Sequence, residues 1–185
     1  MSRIGRKPVA VPDGVQINFA AGQVTVKGPK GQLVQSINSG ISVKSENGHV
    51  VLERSGDSKP LRSLHGLYRA LIANMIVGVT KGYERTLRIV GTGYRVELKG
   101  KDLEVTAGFC HPVKFPAPEG IIFEIPKSNS RDYMDFIVKG IDKQKVMEVA
   151  SRIRKIRPPD LYQGKGIRYQ DETPRKLEGK SFGSA

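Results

Sequence analysis

The 185-residue chain has no tryptophan, one cysteine, six tyrosines and six phenylalanines. With so few aromatics and 38% hydrophobic residues, it suits one ordinary domain or two small ones with modest cores. Cys110 has no second cysteine to pair with, so there is no internal disulfide, which fits a reducing compartment or indifference to redox. No apolar run approaches the ~18 residues of a membrane span. The N-terminal stretch MSRIGRKPVAVPDG carries charge but lacks the apolar segment of a secretory signal. These absences predict a soluble, intracellular protein with no membrane partner.

Acids are scarce as well. The chain holds 18 Asp+Glu against 31 Lys+Arg, a formal net charge of +13. Such an imbalance favours polyanionic partners, nucleic acid before acidic lipid. The excess is uneven: residues 1–82 hold 11 basic and 4 acidic side chains, residues 83–150 hold 11 and 10, and residues 151–185 hold 9 and 4. The positive charge therefore sits toward the two ends of the chain.

Catalytic and cofactor signatures are missing too. His49, His65 and His111 lack metal-ligand spacing with one another or with Cys110. His65 reads as a partly buried packing residue, and adjacent Cys110 and His111 point apart on an extended backbone. GTGYRV (91–96) lacks the third glycine and following helix of a dinucleotide site. GPKGQ and GKGI lack the Gly-Lys-Ser/Thr of a phosphate-binding loop. Asp132 and Asp135 read as loop acids beside Arg131. The expectation is no enzyme, no cofactor, no metal and no small-molecule substrate.

What is present repeats itself. Val15, Ile17 and Phe19 alternate with polar neighbours as a half-buried strand does. VTVKGPKGQLV turns through Gly28, Pro29 and Gly31, and ISVKSENGHVVLE turns at Asn47-Gly48. From Ser58 the period becomes helical, with Leu61, Leu64, Tyr68, Leu71, Ile72 and Met75 on one side and Pro60 in the first turn. The order then recurs. YRVELKGKDLEV predicts a hairpin, Ile121, Phe123 and Ile125 a strand, and FIVKG (136–140) another. Asp142 caps a second helix with Val146, Val149, Ala150, Ile153 and Ile156 as its stripe, ended by Pro158-Pro159. The expected fold class is α+β: two tandem similar small domains, each an antiparallel sheet with one packed helix, plus a basic C-terminal tail. Residues 1–82 form the first repeat with a basic N-terminal arm, 83–170 the second, and 171–185 a flexible tail; chance similarity of two small domains is the alternative.

RIRKIRPPDLYQGKGIRY (152–169) concentrates the functional signal. Arg152, Arg154, Lys155 and Arg157 lie on the solvent side of the second helix, with no acid between Glu148 and Asp160. Gly164 and Gly166 allow close backbone approach with exposed N–H groups. Lys165 and Arg168 supply phosphate contacts, and Tyr169 a stacking or hydroxyl contact. The pattern reads as a phosphate-backbone reader rather than a base-edge code. Arg175, Lys176 and Lys180 extend the charge into the tail, while Arg3, Arg6 and Lys7 form a smaller N-terminal arm. Arg95 is a lesser RNA candidate, or simply an exposed strand arginine.

These stretches resemble the bacterial-type large-subunit ribosomal protein family six over nearly the full chain. MSRIGRKPV is similar to the family's start, LHGLYRALIANMIVGVTKGYERTLRIVGTGYR to its central run and GFCHPV to its Gly-Tyr-Ser-His-Pro-Val segment. PPDLYQGKGIRY resembles its C-terminal signature, and KLEGKS fits the tail. Asp160-Leu161 replaces the usual Glu-Pro, and Gln163 a common Lys. The resemblance implies a non-enzymatic protein of two similar α+β domains that binds 23S rRNA mainly through the second domain and tail. It implies a cytoplasmic ribosomal location near the stalk base and sarcin–ricin loop, with neighbouring large-subunit proteins and translation GTPases as partners. Carried over by position, the signature supplies Tyr162, Gly164, Lys165, Gly166, Arg168 and Tyr169. An RNA-modifying enzyme and a DNA-binding architectural protein are the competing readings. The first lacks clustered titratable residues and the second a helix-turn-helix.

Overall fold

A computed structural model describes residues 5, 7–20, 22–46, 48–126, 132–175 and 177–179. The chain divides into two compact units, one running through Tyr83 and including Ile141–Lys143, the other comprising Glu84–Gly140 and residues from Gln144 onward. Both are α+β, matching the sequence expectation.

In the first unit, β1 (Val9–Ala10), β2 (Gln16–Ala20), β3 (Gln23–Gly28), β4 (Gly31–Ser36), β5 (Ile41–Glu46) and β6 (His49–Arg54) precede α1 (Lys59–Thr80). The strands form two three-stranded antiparallel sheets, β2-β3-β4 and β1-β6-β5. Period-two alternation puts Val24 and Val26 of β3, and Val50 and Leu52 of β6, on inner faces. There they meet Ile72, Met75, Ile76 and Val79 of α1 in one apolar cluster. Burying each of these side chains contributes about 1.5–3 kcal/mol. The Ser58 hydroxyl caps α1 by accepting from the Leu61 N–H, and Pro60 sits in the first turn where no N–H is needed. His65 is buried, its Nε2 3.0 Å from the Leu52 carbonyl, so it is more deeply packed than expected.

The second unit contains most of β7 (Tyr83–Val90), then β8 (Arg95–Lys99), β9 (Asp102–Thr106), β10 (Val113–Phe115), β11 (Ile121–Glu124), β12 (Tyr133–Gly140), α2 (Lys143–Ile156) and β13 (Gly166–Tyr169). Its sheets run β10-β9-β8 and β11-β12-β7-β13. Val146, Val149, Ala150 and Ile153 form the buried stripe of α2, as their spacing predicts. Leu87, Ile89, Phe136, Val138 and Ile167 are buried strand residues of the four-stranded sheet.

The structure departs from expectation in several places. Each unit carries two small sheets rather than one. The unforeseen strands β1, β10 and β13 are two to four residues long, too short to show a period, and the eight-residue β7, equally unforeseen, alternates only in its second half, at the buried Leu87 and Ile89. Asp135 lies within β12, not in a loop, because its strand mates Phe136 and Val138 fill the core. Among the described residues no helix is long and apolar enough to cross a membrane.

Candidate nucleic-acid interface

The basic signature does not stay a loop. Residues 166–169 pair antiparallel with β7, placing Gly166 opposite Val90, Ile167 opposite Ile89, Arg168 opposite Arg88 and Tyr169 opposite Leu87. Ile167 is fully buried and anchors this strand against the core. The crossing from α2 is closed by backbone bonds: the Ile167 N–H donates to the Arg157 carbonyl (2.7 Å) and the Asp160 N–H to the Lys165 carbonyl (2.8 Å). The Asp160 carboxylate accepts from the N–H groups of Tyr162 (3.2 Å) and Gln163 (2.8 Å). An aspartate that folds its own turn explains an acid inside a basic stretch.

The two glycines act differently from the sequence reading. Gly164 and Gly166 are buried, and the Gly164 N–H is used within the loop, donating to Asp160 (3.0 Å). Gly164 spends its N–H inside the crossing, and Gly166 packs against the Pro158-Pro159 backbone.

Several of the arginines are already neutralised. Arg152 pairs with Glu148 one turn earlier on α2. Arg154 forms a bidentate pair with Glu172, with Nε 2.8 Å from one carboxylate oxygen. Arg85 pairs with Asp171 at 2.8 Å. The half-buried Tyr169 ring lies against both cations, 4.3 Å from the Arg85 guanidinium and 5.7 Å from that of Arg154. The tail thus begins with two acids that close on the second unit, and further along the Leu177 N–H donates to the Leu161 carbonyl (2.9 Å). A sequence window around α2 misses these counter-ions, since Glu172 lies 18 residues from Arg154.

Among the described residues, Lys155, Arg157, Lys165, Arg168 and Arg175 make no salt bridge. Lys155, Arg157 and Arg175 are exposed, and Lys165 and Arg168 are half-buried. The Arg168 Nε is buried without a hydrogen-bond partner. Tyr162 is 59% exposed on the crossing loop. Arg95 is exposed at the start of β8 and lines a cavity of about 220 Å³ with Gly91, Gly93 and Tyr133. Lys7 is exposed, and its carbonyl accepts from Arg69 Nε (3.2 Å). Arg3, Arg6, Lys176 and Lys180 lie outside the described residues.

Two further residues on these elements carry contacts that give no sequence signal. Arg88 forms a bidentate pair with Asp135, at 2.7 and 2.9 Å. Phe109 is an exposed ring with the Arg157 guanidinium 5.6 Å from its centroid. Nothing in the spacing of either residue marks it. Among the described residues no group of three His, Cys, Asp or Glu could hold a metal ion.

Tail closure is expected to depend on pH. The hydrogen bond from Arg154 holds the Glu172 carboxyl below the usual carboxylate range, and the Tyr169 N–H (3.2 Å) acts in the same direction. A carboxyl depressed in the folded state contributes stability above its unfolded value, about 4.3, and loses it as pH falls through the folded value. Thermal melts across an acid series should therefore show a decline beginning near that value. Glu172→Gln should lower the melting temperature at neutral pH and flatten the decline. An unchanged acid limb would remove Glu172 from this account.

The chain is similar to known proteins over nearly its whole length. The family described as Ribosomal protein L6 matches residues 11–82 and 90–170, one segment for each half of the chain. A relative named large ribosomal subunit protein uL6 from Salinispora tropica is 53% identical over 182 residues, covering 98% of each chain. The proteins of the same name from Caldicellulosiruptor saccharolyticus and Natranaerobius thermophilus are each 49% identical over 181 residues. They cover 98% of this chain and 97% and 99% of their own. Two matched segments and near-complete coverage at about half identity establish that this chain belongs to the ribosomal protein L6 family.

Proposed function

We propose that this chain is a non-enzymatic, structural constituent of the large ribosomal subunit, working in the cytoplasm, and that it grips 23S rRNA mainly through residues 83–170. One observation carries the reading: Lys155, Arg157, Lys165 and Arg168 gather along the α2 exit and β13 with no salt bridge among the described residues. Other arginines of the same surface have protein carboxylates of their own. Unpaired cations on a rigid crossing suit phosphate oxygens, which take Arg in a planar fork and Lys as a point charge. The names of the relatives support the subunit. The C-terminal signature supports a position near the stalk base and sarcin–ricin loop, with neighbouring large-subunit proteins and translation GTPases as partners. Arg175, Lys176 and Lys180 of the tail, and Arg3, Arg6 and Lys7 of the arm, add further phosphate contacts.

Binding of large-subunit rRNA to the full chain, followed across a salt series, tests this. Replacing Lys155, Arg157 and Lys165 together by Ala should weaken binding and flatten the salt dependence by roughly 0.7–0.9 log units per lost contact. Arg152→Ala should change the slope less, because Glu148 already neutralises it. If the triple variant kept the parental slope, the α2 exit and the crossing after it would present only a solvated face.

A further inference from the structure

Resting on the rRNA-binding reading above, we propose that Phe109 and Arg157 form a stacking platform for an unpaired nucleobase of that RNA. Phenylalanine is normally a core residue, yet Phe109 keeps 40% of its surface in solvent. It belongs to the loop that leaves β9, where residues 108–112 are exposed. The loop backbone imposes that exposure. Gly108, at φ +73°, comes so close to the Tyr94 ring that an added Cβ would stand 3.1 Å from its Cε1 and hydroxyl edge. On the opposite edge an added Cβ at Gly91 would stand 2.9 Å from Tyr94 Cδ2. Tyr94 is thus wedged between two turns and fixes the loop from which Phe109 projects.

The surroundings of the ring select the occupant. The Arg157 guanidinium lies 5.6 Å from the ring centroid and has no protein carboxylate among the described residues. A cation beside an aromatic plane can take the phosphate of a nucleotide while the ring takes its base. The exposed aromatics among the described residues are Phe109 and Tyr162, both in loops of the second unit, one against the α2 exit and one within the crossing that follows it. The exposed large hydrophobics of the first unit are the aliphatic Val34, Leu67 and Val77. Aliphatic side chains offer no π-face. An aromatic ring beside an unpaired cation, as at Phe109, matches a base, since every base has a π-face. This adds to the phosphate contacts a preference for unpaired over duplex RNA.

The absence of tryptophan makes the test direct. In the full chain, Phe109→Trp introduces a single tryptophan whose emission reports on stacking. Oligoadenylate, titrated against a fully paired RNA duplex of equal phosphate count, should quench it more strongly than the duplex does. Phe109→Leu should lower oligoadenylate affinity by roughly 5- to 100-fold, leave duplex affinity and the salt slope unchanged, and keep the parental melting temperature within a few degrees. Phe109→Trp should retain the affinity that Phe109→Leu loses. Equal quenching by both RNAs, or parental affinity in Phe109→Leu, would overturn the platform while salt-dependent binding by the parent upheld the rRNA reading. No salt-dependent RNA binding by the parent would overturn both.

Discussion

Gly166→Ala is expected to unseat the whole crossing. The glycine adopts φ +142°, where an L side chain is strained, and an added Cβ would stand 2.6 Å from the Pro158 carbonyl oxygen and 2.7 Å from Pro159 Cα. Both are backbone atoms, so no rotamer change relieves the overlap. The bonds from Ile167 to Arg157 and from Asp160 to Lys165 hold the same backbone together. Relief therefore means moving β13 away from the α2 exit. Strain and overlap together should cost about 3 kcal/mol. Urea unfolding would read this as a lower midpoint. rRNA binding should weaken as well, because Lys165 and Arg168 lose their fixed positions. Gly100→Ala is the control. It has φ +67° and nothing within 4 Å of an added Cβ, so it carries positive-φ strain alone, about 1 kcal/mol. Equal losses in the two variants would mean that the proline backbone yields and that the packing at Gly166 is incidental.

The contrast between α2 and its continuation shows what a linear reading reaches. The stripe from Val146 to Ile153 and the stop at Pro158-Pro159 are local features, and the helix stands where they place it. The α+β class and the tandem repetition follow from signals of the same kind. β13 is not local. Residues 166–169 show no alternation and become a strand because β7, some 80 residues earlier in the chain, offers them an edge. The site divides along the same line. The cations of the second helix are visible as a cluster, but which of them are free depends on acids brought in by folding. Glu172 reaches Arg154, Asp171 reaches Arg85, and Asp135 reaches Arg88 across 47 residues. Glycine carries a similar ambiguity: the same Gly-Lys-Gly spacing suits an open anion nest or a packed crossing, and the proline backbone that packs on Gly166 lies outside that spacing.

Those long-range acids have a measurable role, and removing Asp135 should reveal it most sharply. Arg88 and Arg168 stand directly opposite on antiparallel strands, so their side chains share one face, where like charges repel. Asp135 offsets this by taking both ends of the Arg88 fork, which also stacks 4.0 Å from the Tyr133 ring centre. The pair is largely sheltered, with 22% of the arginine and 15% of the aspartate side chain exposed. Asp135→Ala would leave two guanidinium groups side by side without that carboxylate, at a cost of about 2–3 kcal/mol, below the range for fully buried pairs because some water reaches them. The double variant Asp135→Ala, Arg88→Met should recover most of the loss, since the repulsion goes with the charge. The same substitution frees Arg88 for phosphate. Asp135→Ala should therefore melt earlier than the parent yet bind large-subunit rRNA with a steeper salt dependence, by up to roughly one contact. RNA should in turn raise its melting temperature more than it raises the parent's. A variant that lost stability with an unchanged slope would make Asp135 a purely internal partner, whereas the opposing shifts would mark it as the residue that sets how many arginines this sheet offers to RNA.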